Sequence, residues 1–437
     1  MANISGSSGN DSLRGTTVDD SLDGGAGNDT LQGGGGNDTL TGGLGVDTFV
    51  VSTGTATITD LGYGGADVLS VESGAKVTAR VFTPWSPSNA TRNNGAVVLQ
   101  SDGLMINLGG LSAGYSGFKL EAVQSDKVTP STKAVVFSGT PGNDTLVGGK
   151  GNDTLVGGAG NDSITGGTGT DFLNGGDGDD VFVFDKPEDL FVGNGIVDSI
   201  MGASGTDTIR LDTTAAVTMA ATVSFSRVSG VEKLVVNGAN SNAISLVLDV
   251  TAFTTAGIRT VDLSGDTDTT GSNVIDASRQ INTTIALSLL GSAGPDSITG
   301  GAGNDTLVGS TEDRLLDGGN GTDVLQIAAA FDDSGDGQIL NLETVALTVA
   351  ALNVNLGDQS ENLTISGFAT GASTITGGSG SDSITGGSGN DSLAGGAGSD
   401  SIGGGAGDDT ITGGAGADTF IIAAGTDSVT DLGNGAD

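Results

Sequence analysis

The stretch GGAGNDTLQGGGGNDTLTGGLGVDTFV, residues 24–50, places an aspartate at every ninth position: Asp29, Asp38 and Asp47. Two residues after each stands an apolar side chain (Leu31, Leu40, Phe49), and a glycine-rich tetrad opens each repeat. Glycine at this density excludes a helix, where each one costs ~1 kcal/mol against alanine. It permits positive φ and close approach of main chains instead. The three residues after each Gly-x-Asp read as a short strand whose middle side chain points inward.

The period recurs in four blocks. The first holds Asp11, Asp20, Asp29, Asp38 and Asp47, and the second Asp144, Asp153, Asp162, Asp171 and Asp180. The third holds Asp296, Asp305 and Asp323, with Arg314 where the phase demands aspartate. The fourth holds Asp382, Asp391, Asp400, Asp409 and Asp418. Each aspartate is followed two residues on by Leu, Ile or Phe, and Leu316 keeps that place after Arg314. A fixed short period means stacked units that bury a core only together. The pattern Gly-Gly-x-Gly-x-Asp-x-apolar-x therefore predicts an all-β solenoid with a thin aliphatic core. Phe49, Phe182 and Phe420, each in the last repeat of its block, read as plugs at the ends of the stacks.

Composition narrows the partners. The 437 residues include 80 Gly, no Cys and no His, and the net charge is -38. Like charge disfavours nucleic acid and anionic membranes. Without thiolate or imidazole, zinc and copper lack their usual ligands, whereas oxygen donors suit a hard cation such as Ca²⁺. No apolar run reaches the ~18 residues that span a bilayer, so membrane insertion is not expected. The opening MANISGSSGND lacks the basic and apolar regions of a secretory signal peptide.

GGAGNDTLQ (24–32), GGKGNDTLV (148–156), GGAGNDSIT (157–165) and GGSGNDSLA (386–394) resemble the RTX, or haemolysin-type, calcium-binding nonapeptide. The resemblance implies a parallel β-roll with two repeats per coil, and Ca²⁺ between stacked turns, held by aspartates and turn carbonyls. One turn offers too few oxygens for a shell of six to eight. Turns 18 residues apart would share an ion, pairing Asp11 with Asp29, Asp20 with Asp38 and Asp29 with Asp47. By that rule Arg314 removes the site shared with Asp296 and leaves Asp305 with Asp323. The total is on the order of ten ions. Asp198 and Asp207, also nine apart, are either a further site or a plain turn.

Between the blocks the glycine density falls and β-branched runs appear: KVTARVF, GAVVLQ, VEKLVVNG, ISLVLDV and TTIALSLLG. These read as strands, in wider coils or in small sandwiches. The expected organisation is a roll at 1–50, a spacer at 51–138, a roll at 139–183 and a spacer at 184–290. A degenerate roll at 291–326, a spacer at 327–376 and a roll at 377–421 follow. The last residues, 422–437, open a further spacer. VDTFVVSTGTATITDLGYGGAD (46–67) recurs as ADTFIIAAGTDSVTDLGNGAD (417–437) with one residue deleted, so the second copy ends in mid-module, as a fragment of a longer array would. GVEKLVV and NLETVAL, with TVDLSG and NVIDAS, resemble rungs of bacterial surface-layer proteins.

Three features suggest other chemistry. GLSAG (110–114) has the form of a nucleophile elbow around Ser112, but the chain has no His to serve as base. DDSGDGQILNLE (332–343) scans as an EF-hand loop through Asp332, Ser334, Asp336, Gly337, Ile339 and Glu343, without evident flanking helices. Trp85, the single Trp, reads as a core or loop anchor. The expected protein is thus not an enzyme. It is a calcium-binding extracellular repeat protein, secreted without an N-terminal signal peptide by the type I route. Its role is structural or adhesive at the cell surface, with polysaccharide or self-assembly as possible partners. The rival reading is the calcium-stabilised portion of a secreted enzyme or toxin whose catalytic domain lies outside this chain.

Overall fold

Short strands paired in parallel dominate the computed structural model, which describes residues 1–88, 90–111, 117–124, 129–238, 243–333 and 337–433. Contacts divide the chain into two units, Met1–Asp212 with Phe225–Glu232, and Thr213–Ser224 with Lys233–Asp437.

In the first unit, Ser21–Ala26 lies beside Asn37–Leu44 in parallel register, which sets Leu22 against Leu40. Repetition of that step builds one apolar column: Leu22, Leu40, Ile58, Ala79, Leu99, Leu120, Leu146, Ile164, Phe182 and Ile209. Alternate strands feed other sheets, with columns Leu13, Leu31, Phe49, Leu69 and Ile106, Phe137, Leu155, Leu173, Ile200, Val228. Nearly all of these side chains are buried. Each contributes ~1.5–3 kcal/mol, but the core is one side chain deep per strand.

The second unit repeats the scheme. Its longest column runs Leu234, Val261, Leu289, Leu307, Leu325, Val345, Ile365, Ile384, Ile402 and Phe420.

Within each unit the spacer segments are coils that continue its repeat blocks. Thr55–Leu61, Lys76–Val81, Ala96–Ser101 and Phe118–Ala122 pair in parallel between Asn37–Leu44 and Thr145–Gly149. Alternation of apolar residues keeps the inward position, and without tight glycine turns the connections lengthen. Trp85 is buried at 1% exposure in a parallel bridge to Ile106, and its Nε1 donates to the Asp67 carbonyl at 3.3 Å. It is a core residue.

Two of the expected plugs are not ends. Phe49 lies between Leu31 and Leu69, and Phe182 between Ile164 and Ile209. The ladder continues past the nonapeptides because it needs only an inward apolar residue, and the spacers supply one.

The turn at 202–207 has a strained residue. Ala203 adopts φ 81 where its counterparts Gly25 and Gly43 adopt 97 and 95. A side chain there costs ~1–2 kcal/mol, part of which glycine would forfeit through greater freedom when unfolded. Ala203→Gly should therefore stabilise the calcium-loaded chain by roughly 0.5–1 kcal/mol, read from the midpoint of urea unfolding. An unchanged or lower midpoint would remove the strain argument.

Candidate metal centre

The turns stack so that an aspartate Oδ1 accepts a main-chain N–H from the coil before it: at the start of a block that of another residue, such as Val135 to Asp153 or Leu287 to Asp305, and within a block that of the preceding aspartate. Asp11 donates to Asp29 at 2.7 Å, Asp20 to Asp38 at 2.9 Å and Asp29 to Asp47 at 2.8 Å. Asp144 donates to Asp162, Asp153 to Asp171 and Asp162 to Asp180 at 2.7–2.8 Å. Asp305 donates to Asp323 at 2.6 Å. Asp382 donates to Asp400, Asp391 to Asp409 and Asp400 to Asp418 at 2.8–3.0 Å. The structure thus brings together the pairs that the 18-residue rule names.

The second carboxylate oxygen separates two kinds of turn. In opening turns the residue four before the aspartate supplies a donor. The Ser7, Thr16 and Thr140 N–H groups and hydroxyls bond Oδ2 of Asp11, Asp20 and Asp144. Asp305 and Asp382 receive the Gly301 and Gly378 N–H groups. In interior turns that position is a glycine at positive φ, such as Gly25 or Gly43, and the local bond is not made. There Oδ2 of Asp29, Asp47, Asp153, Asp162, Asp171, Asp180, Asp323, Asp391, Asp400 and Asp409 is buried without a hydrogen-bond partner. A plain Asx turn accounts for the opening aspartates and fails for these.

The unpartnered oxygens face other acceptors. The space that a Cβ on Gly24 would fill holds Asp29 Oδ2 and the Gly42 carbonyl oxygen of the next coil. Gly157 has Asp162 Oδ2 and the Gly175 carbonyl in the same place, and Gly386 has Asp391 Oδ2 and the Gly404 carbonyl. Acceptors that converge without a donor form a cradle for a cation.

Burial sets the charge state. It pushes Asp162 up to about 8, helped by repulsion from Asp144 and Asp180. Asp67, Asp198 and Asp313 rise to about 7, and Asp153, Asp180, Asp207, Asp323 and Asp400 to about 6, again chiefly through burial. Asp20 moves the other way because the Thr16 hydroxyl bonds its charged form.

The model of the RTX calcium-binding nonapeptide repeat (4 copies) matches residues 14–49, 138–173, 158–185, 288–325, 369–402 and 395–429. The chain carries RTX calcium-binding repeats. No curated protein matches it. The RTX turns fit Ca²⁺ in donor type, being oxygen alone, and in their unpartnered buried carboxylates. No three acidic side chains gather at one point among the described residues. An ion there would be held by carboxylates such as Asp29 and Asp47 and by turn carbonyls such as that of Gly42, with water completing its shell. Asp29→Ala should therefore weaken two adjacent sites and lower calcium stoichiometry more than Asp11→Ala, whose Oδ2 already has Ser7. Equal losses, measured by atomic absorption after dialysis, would contradict the stacking rule.

The nine-residue phase misses several members of the columns. Arg314 is exposed, and Asp313 is buried one residue earlier, its Oδ1 accepting the Asp296 N–H at 3.0 Å. The Asp296 position therefore keeps a partner, contrary to the expectation from phase, because a shorter turn is absorbed by an extra residue before Leu316. Asp67 takes the Asp47 N–H, Asp198 that of Asp171, Asp207 that of Asp180 and Asp427 that of Asp409, at 2.7–3.1 Å. Each of these four keeps an aliphatic residue two positions on: Leu69, Ile200, Ile209 and Val429. Asp198, Asp207 and Asp427 stand in the nine-residue phase of Asp180 and Asp418, and Asp198 with Asp207 is the pair the sequence left open between a site and a turn; Asp67 alone of the four is off phase, and Asp-x-aliphatic sought without fixed spacing would have found it.

Of the EF-hand scan, Glu343 stands at the Asp323 column, its Oε2 accepting the Asp323 N–H at 2.7 Å. Ser334 and Asp336 lie outside the described residues, as does Ser112. The long internal repeat has a shared structural element. Asp60 takes the N–H groups of Gly42 and Gly43, and Asp431 those of Gly413 and Gly414, at 2.7–2.9 Å.

Proposed function

We propose that this chain is a calcium-locked structural segment of an extracellular protein, serving as scaffold or adhesive surface at the cell envelope. The observation that carries the reading is the row of buried, unpartnered Oδ2 atoms in the interior RTX turns. Bound Ca²⁺ supplies the positive charge that lets neighbouring carboxylates ionise together. The chain's own contribution is geometric. Glycines let each turn approach the next, Oδ1 fixes the register to the preceding coil, and Oδ2 is left for the ion. Where calcium is scarce, as in a cytosol, repulsion keeps the turns apart and the chain export-competent. Millimolar external calcium exceeds the ~0.1–1 mM affinity typical of extracellular modules. Spacers that prolong the solenoid as plain coils, and their likeness to surface-layer rungs, support a structural use over catalysis.

The second reading is the calcium-stabilised portion of a secreted enzyme or toxin, and the RTX repeats themselves favour it. Protease accessibility on intact producing cells separates the two. Protein held on the outer surface and shed by chelator supports the scaffold. Release wholly into the medium supports the enzyme. Confinement to the cytosol overturns both.

A further inference from the structure

Two columns of turn aspartates end in a glutamate, with matching geometry in the two units. In the first, Glu232 Oε2 accepts the Asp207 N–H at 2.8 Å, and the Glu232 N–H donates to the Asp207 carbonyl at 3.0 Å. In the second, Glu343 Oε2 accepts the Asp323 N–H at 2.7 Å, and the Glu343 N–H donates to the Asp323 carbonyl at 3.2 Å. Two residues before each glutamate the backbone is left-handed, with Gly230 at φ 61 and Asn341 at φ 50. The residue between them, Val231 or Leu342, is buried.

The carbonyl oxygens complete the likeness. The space that a Cβ on Gly202 would fill holds Asp207 Oδ2 and the Gly230 carbonyl oxygen. At Gly318 it holds Asp323 Oδ2 and the Asn341 carbonyl oxygen. Asp29 Oδ2 and the Gly42 carbonyl stand in the same way at Gly24 in an RTX turn. Asp207 and Asp323 are both fully buried, and the Oδ2 of each has no hydrogen-bond partner. Asp207, Glu232 and Glu343 all lie outside the residues that match the repeat.

We propose that Gly230–Val231–Glu232 and Asn341–Leu342–Glu343 are compact half-sites for calcium, each replacing a six-residue glycine turn. One site is formed by Asp207, the Gly230 carbonyl and Glu232, and the other by Asp323, the Asn341 carbonyl and Glu343. The extra methylene of glutamate lets a carboxylate reach the column from a shorter connection. The left-handed residue aims its carbonyl where an RTX turn aims its glycine carbonyl. Water fills the remaining positions, since these sites end their columns. The inference rests on calcium binding by the RTX turns and extends it to a second sequence form, a left-handed residue followed by aliphatic-Glu.

Crystals of the whole chain grown with Ca²⁺, and an anomalous difference map at long wavelength, test it. Peaks are expected between Asp207 and Glu232 and between Asp323 and Glu343, at ~2.4 Å from the oxygens, beside those in the RTX turns. Filled RTX turns with both terminal sites empty would overturn this inference and leave the proposed function standing. Empty RTX turns would overturn both. In solution, the Glu232→Gln and Glu343→Gln double variant should retain its strand signal in Ca²⁺ and lose about two ions per chain. An unchanged stoichiometry counts against the proposal. If the variant does not fold, the map of the unmodified chain decides.

Discussion

Chelation of Ca²⁺ at neutral pH should abolish most of the strand signal in circular dichroism. The argument is one of magnitude. An ionised carboxylate buried without compensation costs several kcal/mol, and a folded domain has only about 5–15 kcal/mol in hand. The first unit alone holds unpartnered Oδ2 atoms on Asp29, Asp47, Asp153, Asp162, Asp171, Asp180, Asp198 and Asp207. Asp180 and Asp207, at about 6, are ionised at neutral pH, and a core one side chain deep does not hold even a few such charges without an ion. Returning Ca²⁺ should restore the signal. Mg²⁺ should not, because it demands tight octahedral geometry and sheds water reluctantly. A strand signal indifferent to chelator would sink the calcium reading.

The second large effect is a pH dependence that reverses with calcium. In the metal-free fold burial pushes several turn aspartates above their ordinary value of 3.8: Asp162 to about 8, Asp198 and Asp313 to about 7, Asp180 and Asp207 to about 6. A folded-state value raised above the unfolded one means the native state holds more protons. The stability this confers is fully present below the unfolded value and is lost as pH rises through 6–8. The chelated chain should therefore regain strand signal on acidification to pH 5 and lose it again as the pH rises toward 8.

Calcium binds the ionised form and expels those protons, so its stabilising effect should be greatest at pH 8 and shrink toward pH 5. Curves of strand signal against pH with Ca²⁺ and with chelator thus converge on acidification, above the isoelectric point near 4.1. Parallel curves would show that the buried carboxylates are not the calcium ligands.

Where the sequence was easy to read, local chemistry and tertiary need coincide. Leu31, Leu155 and Leu393 are inward residues of their strands, and the apolar place after each aspartate says as much. The spacers were harder. KVTARVF and GAVVLQ announce strands, but the register of Val77 with Val97 depends on connections of unequal length, which no period records. Asp313 illustrates the limit. Strict phase put Arg314 in the column, yet the column selects whichever nearby carboxylate can be buried against Asp296, and a one-residue shift costs less than a buried guanidinium.

By itself the sequence determined the oxygen-only donor set, the inward apolar place after each aspartate and, through its resemblance to the RTX nonapeptide, the parallel coil of two repeats that pairs aspartates 18 residues apart. Tertiary structure alone decided which of those aspartates are free to take an ion. Asp11 and Asp144 spend Oδ2 on Ser7 and Thr140, while Asp29 and Asp162 keep theirs. It also decided that Glu232 and Glu343 end the columns. Both outcomes turn on backbone hand, at Gly25, Gly230 and Asn341, which determines whether a donor or a carbonyl meets the carboxylate.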